Sequence, residues 1–439
     1  MLSKKLSLRL TAVSAIFAIA LFVAGTRAAA QTETLLHNFA NNGTDGPGPQ
    51  ASLIFDKAGN LYGTTNAGGA YNWGTVFELK PEAGGGWAEK TLHTFDYTHK
   101  DGKNPQANLV FDAAGNLYGT TPFGGSGTCS LNHIVVGCGI VFELMPEAGG
   151  GWVEKLVHNF RGEDGTNPYG ALIIDAAGNL YGTTYAGGSG KCTKKGGSVV
   201  GCGTVFELTP AAGGTWTETV LHNFTNDGID GTNPYAALVL DSSGNLYGTT
   251  FLGGDATTCG TPGCGTAFEV TPVAGGSWTE RVLHSFSDNG DGYNPFASLT
   301  LDSAGNLYGT TYEGGNNADC PCGTAFELTP TAGGSWTETV LYNFVANGSF
   351  PYGGVVFDAV GNLYGTTETG GIDDRGTVFE LTPAGGSAWT ETILYSFSDT
   401  GKDGNYPVAS PTLDAAGNLY GTTSGGGFFL NGTAFEIKP

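Results

Sequence analysis

Gly59-Asn-Leu-Tyr-Gly-Thr-Thr65 recurs without a substitution from Gly115, Gly178, Gly244, Gly305, Gly361 and Gly417. The intervals are 56, 63, 66, 61, 56 and 56 residues, so one unit has been copied along almost the whole 439-residue chain. A fixed period of this size marks a repeat architecture, in which each unit buries its apolar face against its neighbours.

The unit from Ala236 to Phe286 reads as four short strands. Ala237–Asp241 is an apolar strand, A. Asp241-Ser-Ser-Gly-Asn245 is a hairpin turn, because Asp bonds the backbone two residues on and Gly takes positive φ. Leu246–Thr250 is strand B, and the Gly inside it implies close approach of a sheet or an aromatic ring. Gly265–Val270 is strand C, Pro272–Gly276 a second tight turn, and Trp278–Phe286 strand D, rich in β-formers. Four antiparallel strands in about fifty residues make one propeller blade.

The chain ends are complementary. Residues 32–39 form a strand D with no A, B or C before it, and the chain finishes at Gly432–Pro439, a strand C with no D after it. The expected fold is therefore an all-β, seven-bladed propeller of four-stranded antiparallel blades, with strand 32–39 completing blade seven and removing its free edge. A linear β-solenoid has no use for such ends. In an A-B-C-D meander the A–B and C–D turns share one face and the B–C and D–A loops the other. Every long or variable segment falls on the second face, where functional residues concentrate.

The first thirty residues read as a signal peptide preceding one propeller domain, 31–439. Lys4, Lys5 and Arg9 make a basic start, Leu10–Gly25 is apolar, and Ala28-Ala29-Ala30 supplies small residues. The apolar run is short for a membrane span, no second one follows, and no Cys near the cleavage site invites lipid attachment. Cleavage takes the formal charge from −22 to −26. Such a surface repels nucleic acid and anionic membranes. The expected product is a secreted or periplasmic monomer without a transmembrane segment. Its acids are no catalytic signal in themselves, since 21 of the 40 recur in three scaffold positions.

The eight cysteines fall in four pairs, Cys129/Cys138, Cys192/Cys202, Cys259/Cys264 and Cys320/Cys322, each within one B–C loop. These loops hold 17, 18, 14 and 11 residues, against 8 in the three blades without Cys. In an exported protein this reads as local disulfides that order extended loops. Thiolate metal binding is the other use, but the spacing differs between loops. Cys320-Pro-Cys322 would close a small ring.

Three sets of side chains are candidates for chemistry. The D–A loops carry Asp-Gly at Asp45, Asp101, Asp164, Asp230, Asp291 and Asp403, with Asn347 at the seventh position. A ring of such carboxylates near the axial mouth would suit Ca²⁺, while recurrence in nearly every blade favours a turn formed seven times. No other cofactor is expected. Tyr169, Tyr235, Phe296 and Tyr352 follow the loop prolines, Tyr185, Phe251 and Tyr312 follow Thr-Thr, and Tyr71, Trp73 and Phe123 lie in B–C loops. Such rings suit stacking on sugars or holding peptide side chains, or else pack blade on blade. His37, His93, His158, His222 and His284 share one strand-D position that accepts Tyr342 and Tyr395, as a packing position would. His99, His133, Lys191, Lys194, Lys195, Glu163 beside Asp164, and Asp373-Asp374-Arg375 break the symmetry without forming a motif. No nucleophile elbow, phosphate loop or His-based metal motif is present.

The full unit runs Ala-x-Leu, Asp-x-x-Gly-Asn-Leu-Tyr-Gly-Thr-Thr, Gly-Gly, Gly-Thr-Val-Phe-Glu-Leu-x-Pro, Gly-Gly-x-Trp-x-Glu and Leu-His-x-Phe. It resembles the GloVer tandem-repeat family of exported bacterial proteins over residues 32–439. Asp-x-x-Gly-Asn-Leu-Tyr also looks like the A–B hairpin of NHL-type propellers. The resemblance implies an exported, surface-associated propeller and carries over no reaction. Family members often add a C-terminal anchor, and this sequence stops at Pro439 without one. The expected function is non-enzymatic binding of an extracellular carbohydrate or protein on the B–C/D–A face. The alternatives are a polysaccharide-degrading hydrolase or lyase, and a structural envelope protein.

Overall fold

The computed structural model describes residues 32–96, 101–131, 134–193, 199–255, 257–317, 319–386 and 388–438. The leader, His99, His133, Lys194 and Lys195 lie outside the described residues. Seven four-stranded antiparallel sheets form a seven-bladed β-propeller. In blade four the strands are Val239–Leu240, Leu246–Thr250, Thr266–Val273 and Ser277–Ser285, hydrogen-bonded in that order. Strand A is shorter than the sequence implies, two residues in every blade, and the C–D hairpin is longer. Blade seven takes its outer strand from the start of the chain: Glu33–Asn38 pairs antiparallel with Thr433–Ile437, from Glu33 opposite Ile437 to Asn38 opposite Thr433.

Each position of the repeated heptapeptide has a job in this geometry. The glycine before Asn takes φ near +90°, as the A–B turn requires. Asp56 closes that turn by accepting from the Ala58 and Asn60 amides. Leu61 and its counterparts are fully buried. The tyrosine hydroxyl donates to the strand-C glutamate at 2.7–3.1 Å in all seven blades. A Cβ on the strand-B glycine would lie 2.4–2.6 Å from Cζ of the strand-C phenylalanine, so only glycine fits. The first threonine donates to a backbone carbonyl just before strand A of the next blade at 2.9–3.3 Å, and Thr422 closes the circle on Ala51. The second threonine is buried and, in six blades, bonds the first threonine of strand C.

Between blades, the strand-C phenylalanine meets the phenylalanine ending the preceding strand D edge to face, as in Phe160 with Phe206 at 5.2 Å. The strand-D tryptophan lies 5.9–6.3 Å from the preceding blade's tyrosine in five pairs. Edge-to-face pairs of this kind add about 0.5–1.5 kcal/mol each beyond area burial. The ring is held by repeated aromatic seams rather than by a central core.

Candidate functional site

On the elaborated face the D–A and B–C loops zip together. Gly231–Thr232 pairs with Leu252–Gly253, Gly102–Lys103 with Phe123–Gly124, and two further blades repeat this ribbon. Asn104, Asn167, Asn233 and Asn294 sit at φ +57° to +60° before the loop prolines. Asparagine tolerates that left-handed conformation. Their side-chain amides donate to the residue after Thr-Thr on the preceding blade, as in Asn233 Nδ2 to the Tyr185 carbonyl at 2.9 Å. This brace aims the residue after each proline at the axis.

The aromatic residues of both rings come together there. Tyr169 stacks on Tyr235 at 4.7 Å and Phe296 on Tyr352 at 4.8 Å, while Tyr235 meets Phe296 edge to face at 5.4 Å. Tyr185, Phe251 and Tyr312 buttress them from outside, Phe251 stacking on Phe296 at 4.3 Å. Trp73 stands apart, under the Lys103 ammonium at 4.7 Å from its centroid, and Tyr71 is exposed. The aromatic arc spans blades three to six. Across the axis its partners are Gln50, Gln106, Val408 and Ser424, which together with Tyr169, Tyr235, Tyr352 and Glu368 enclose a pocket of about 190 Å³. The Tyr235 hydroxyl lies 3.2 Å from Gln106 Oε1, and that of Tyr312 donates to Glu368 Oε2 at 2.8 Å. The glutamines and Glu368 went unnoticed in the sequence because they occupy aromatic positions of the repeat with unlike residues.

A larger cleft of about 400 Å³ opens beside this pocket between the loops of blades two, three and four. Phe123, Tyr169 and Tyr185 supply ring surface, Val136, Val200, Leu252 and Pro262 aliphatic surface, and Ser130, Asn226, Thr232 and Asn233 polar groups. Cys129 and Cys192 belong to its wall. Their disulfides to Cys138 and Cys202 fix that wall, and Cys259–Cys264 and Cys320–Cys322 are bonded as well.

The Asp-Gly aspartates lie at a different place, the seams between outer strands. His Nε2 meets the aspartate of the following loop at 2.9–3.4 Å in five seams, from His37–Asp45 to His284–Asp291. Tyr395 donates to Asp403 at 3.0 Å in a sixth. Asp45, Asp101, Asp230 and Asp403 also accept the next glycine's amide, closing the turn. The histidines do pack, 4.7–4.8 Å from the Phe two residues on. His37, His158, His222 and His284 are hydrogen-bonded to their aspartates too, while His93 Nε2 has no hydrogen-bond partner among the described residues. A strand-D glutamate of the next blade faces each pair. Burial first, then the nearby aspartate, pushes Glu33 and Glu154 up to about 7. Burial likewise pushes Glu218 and Glu338 up to about 7, with the neighbouring histidine opposing. Their Oε1 atoms are buried without a hydrogen-bond partner.

In two seams the donor atoms converge within 4.8 Å, His37–Asp45–Glu89 and His222–Asp230–Glu280. One imidazole and two carboxylates could hold a divalent cation of the zinc class more readily than Ca²⁺, which prefers oxygen ligands throughout. Among the weaker candidates, Arg375 pairs with Asp399 at 3.0 Å and bonds the Tyr406 hydroxyl, Asp374 accepts from the Gly370 amide, and Asp373 from that of Asp399. They brace a loop. Glu163 is exposed.

A profile described as the Gloeobacter/Verrucomicrobia repeat matches residues 25–192 and 191–435. The chain belongs to that family. Comparison with curated proteins finds no match. Among solved structures, a polysaccharide lyase described as an ulvan lyase superposes with a TM-score of 0.54 at 12% identity, over 92% of this chain and 95% of that one. The same kind of lyase with a bound glucuronate–sulfated rhamnose unit gives 0.51 at 11% identity, over 91% and 95%. A Thermus protein titled a putative glucose dehydrogenase gives 0.41 at 14% identity, over 93% and 100%. At these identities the likeness is one of fold. Among the described residues no helix is long and apolar enough to cross a membrane.

Proposed function

We propose that this member of the repeat family is an exported binding propeller that holds a carbohydrate in the cleft between blades two and four. The observation that carries the reading is the lining of that cleft. Aromatic faces stand beside amides and hydroxyls, and no Asp, Glu or His is among the described lining residues. Rings stack on the apolar faces of sugars, and fixed amides and hydroxyls read their hydroxyl groups. Tyr169 and Tyr185 are the groups capable of acid–base work among its described lining residues, and burial pushes both up, away from the ionised form a base needs, so retention is favoured over turnover. Four disulfides support an oxidising compartment.

The test is a thermal-shift screen of the chain from Gln31 against neutral oligosaccharides and polysaccharides, with reducing-end release followed in parallel. A ligand at 100 times its Kd adds about 2.7 kcal/mol. The expected result is a rise of a few degrees for one sugar class, no new reducing ends, and loss of the rise in Tyr185→Ala. A flat screen, or a shift untouched by Tyr185→Ala, overturns the reading. Release of reducing ends favours the lyase or hydrolase alternative.

A further inference from the structure

The axial pocket differs in chemistry from the cleft beside it. Tyr169, Tyr235 and Tyr352 line one side of it, and Glu368 is the one charged group among its described lining residues. The Tyr312 hydroxyl holds Glu368 Oε2 at 2.8 Å. Oε1 takes no hydrogen bond from the described residues, which leaves it for a ligand. The Tyr235 hydroxyl donates to Gln106 Oε1 at 3.2 Å, and the Tyr235 and Tyr352 rings meet edge to face at 6.2 Å. Burial pushes both tyrosines up, so they are neutral hydroxyls at ordinary pH.

Such a lining selects by charge. Aromatic rings attract cations through their quadrupole, most strongly when the cation is partly desolvated. A carboxylate held in place adds a full opposite charge, and no Lys or Arg is among the described lining residues to compete for it. A chain with formal charge −22 draws small cations toward its surface from farther away. The volume of about 190 Å³ is below the roughly 300–1,000 Å³ of sites for drug-sized ligands. It suits a headgroup.

We propose that the axial pocket is a second binding site, for a small organic ammonium ion, with Glu368 as counter-ion and Tyr235 and Tyr352 as its aromatic wall. The site does not depend on the carbohydrate reading. Glu368, which follows Thr-Thr in blade six where Tyr185, Phe251 and Tyr312 stand in blades three to five, gives the pocket its charge.

Isothermal titration of the whole mature chain at low salt tests this, with choline and with the carbon analogue in which the quaternary nitrogen is replaced by carbon. Choline is expected to bind at least tenfold more tightly than its uncharged analogue. Glu368→Gln keeps the shape and the Tyr312 hydrogen bond, and is expected to remove at least tenfold of that affinity at an unchanged melting temperature. Raising salt weakens choline binding in the original chain more than in the variant. Equal binding of choline and the analogue, binding of neither, or an unaltered affinity in Glu368→Gln would each overturn the proposal. The carbohydrate response of the same variant is read separately, so failure of one site is not mistaken for failure of the other.

Discussion

Gly182 shows how much one residue of the repeat decides. It lies in the middle of strand B, where sequence patterning alone disfavours glycine, and its place is explained by the Phe206 ring 2.6 Å from where a Cβ would sit. Gly182→Ala is expected to cost about 1–3 kcal/mol, the usual penalty of overpacking, read as a lower urea midpoint at unchanged slope. No change in midpoint would contradict the packing. The close approach was readable from the sequence, since Gly inside a β pattern has few other causes. The His–Asp pairing was not. His158 and Asp164 are near in sequence, but the glutamate facing them, Glu218, lies in another repeat and only the ring brings it alongside.

At the scale of the element, the seams between outer strands make stability depend on pH. Glu33, Glu154, Glu218 and Glu338 hold their protons to about pH 7 in the fold, against 4.5 as ordinary carboxyls. The folded state therefore binds more protons in that window. Their contribution is fully present below about pH 4.5, falls as pH rises, and is lost above about 7. The A–B turn aspartates set the acid limit. Burial raises Asp56, but hydrogen bonds from Asn60, Ala58 and Tyr62 outweigh it and hold it below 3.8, as they do in Asp241 and Asp414. That stability is present above 3.8 and lost as pH falls through the lowered value. The melting temperature is therefore expected to peak between about pH 4 and 4.5 and to be a few degrees lower at pH 8, with Glu154→Gln plus Glu218→Gln flattening that slope. A higher melting point at pH 8 in the original chain would contradict this. Dialysis against chelator leaves the curve unchanged if the two convergent seams are structural, and lowers it if they hold a cation.

The disulfide loops belong to the same scale. A loop of about ten residues constrains the unfolded chain by about 2–3 kcal/mol at most. Replacing Cys192 and Cys202 by Ala is expected to open the loop to protease and weaken carbohydrate binding while the propeller still unfolds in one transition. Equal protease resistance would count against a loop-ordering role. The pairing was legible because each pair shares one loop and the second Cys always precedes the Gly that starts strand C. The cleft those loops frame was not legible, since their lengths and residues follow no period.

At the scale of the molecule, the repeat and the complementary ends made the ring readable, while the site was only half visible. Aromatic residues after the loop prolines stood out as a series, and they do meet at the axis. Gln50, Gln106 and Glu368 did not, because each matters only through what lies across the axis from it. Propellers remove their edges by closure, and here that rests on Glu33–Asn38 pairing with Thr433–Ile437, on Thr422 bonding Ala51, and on Phe39 packing against Phe77. The most direct test is calorimetric unfolding of the chain from Gln31 beside a chain lacking residues 31–39. The full ring is expected to unfold in one cooperative transition, and the shortened chain to lose that cooperativity and associate through the exposed edge at Thr433–Ile437. An equally cooperative, monomeric transition in the shortened chain would contradict closure by the N-terminal strand.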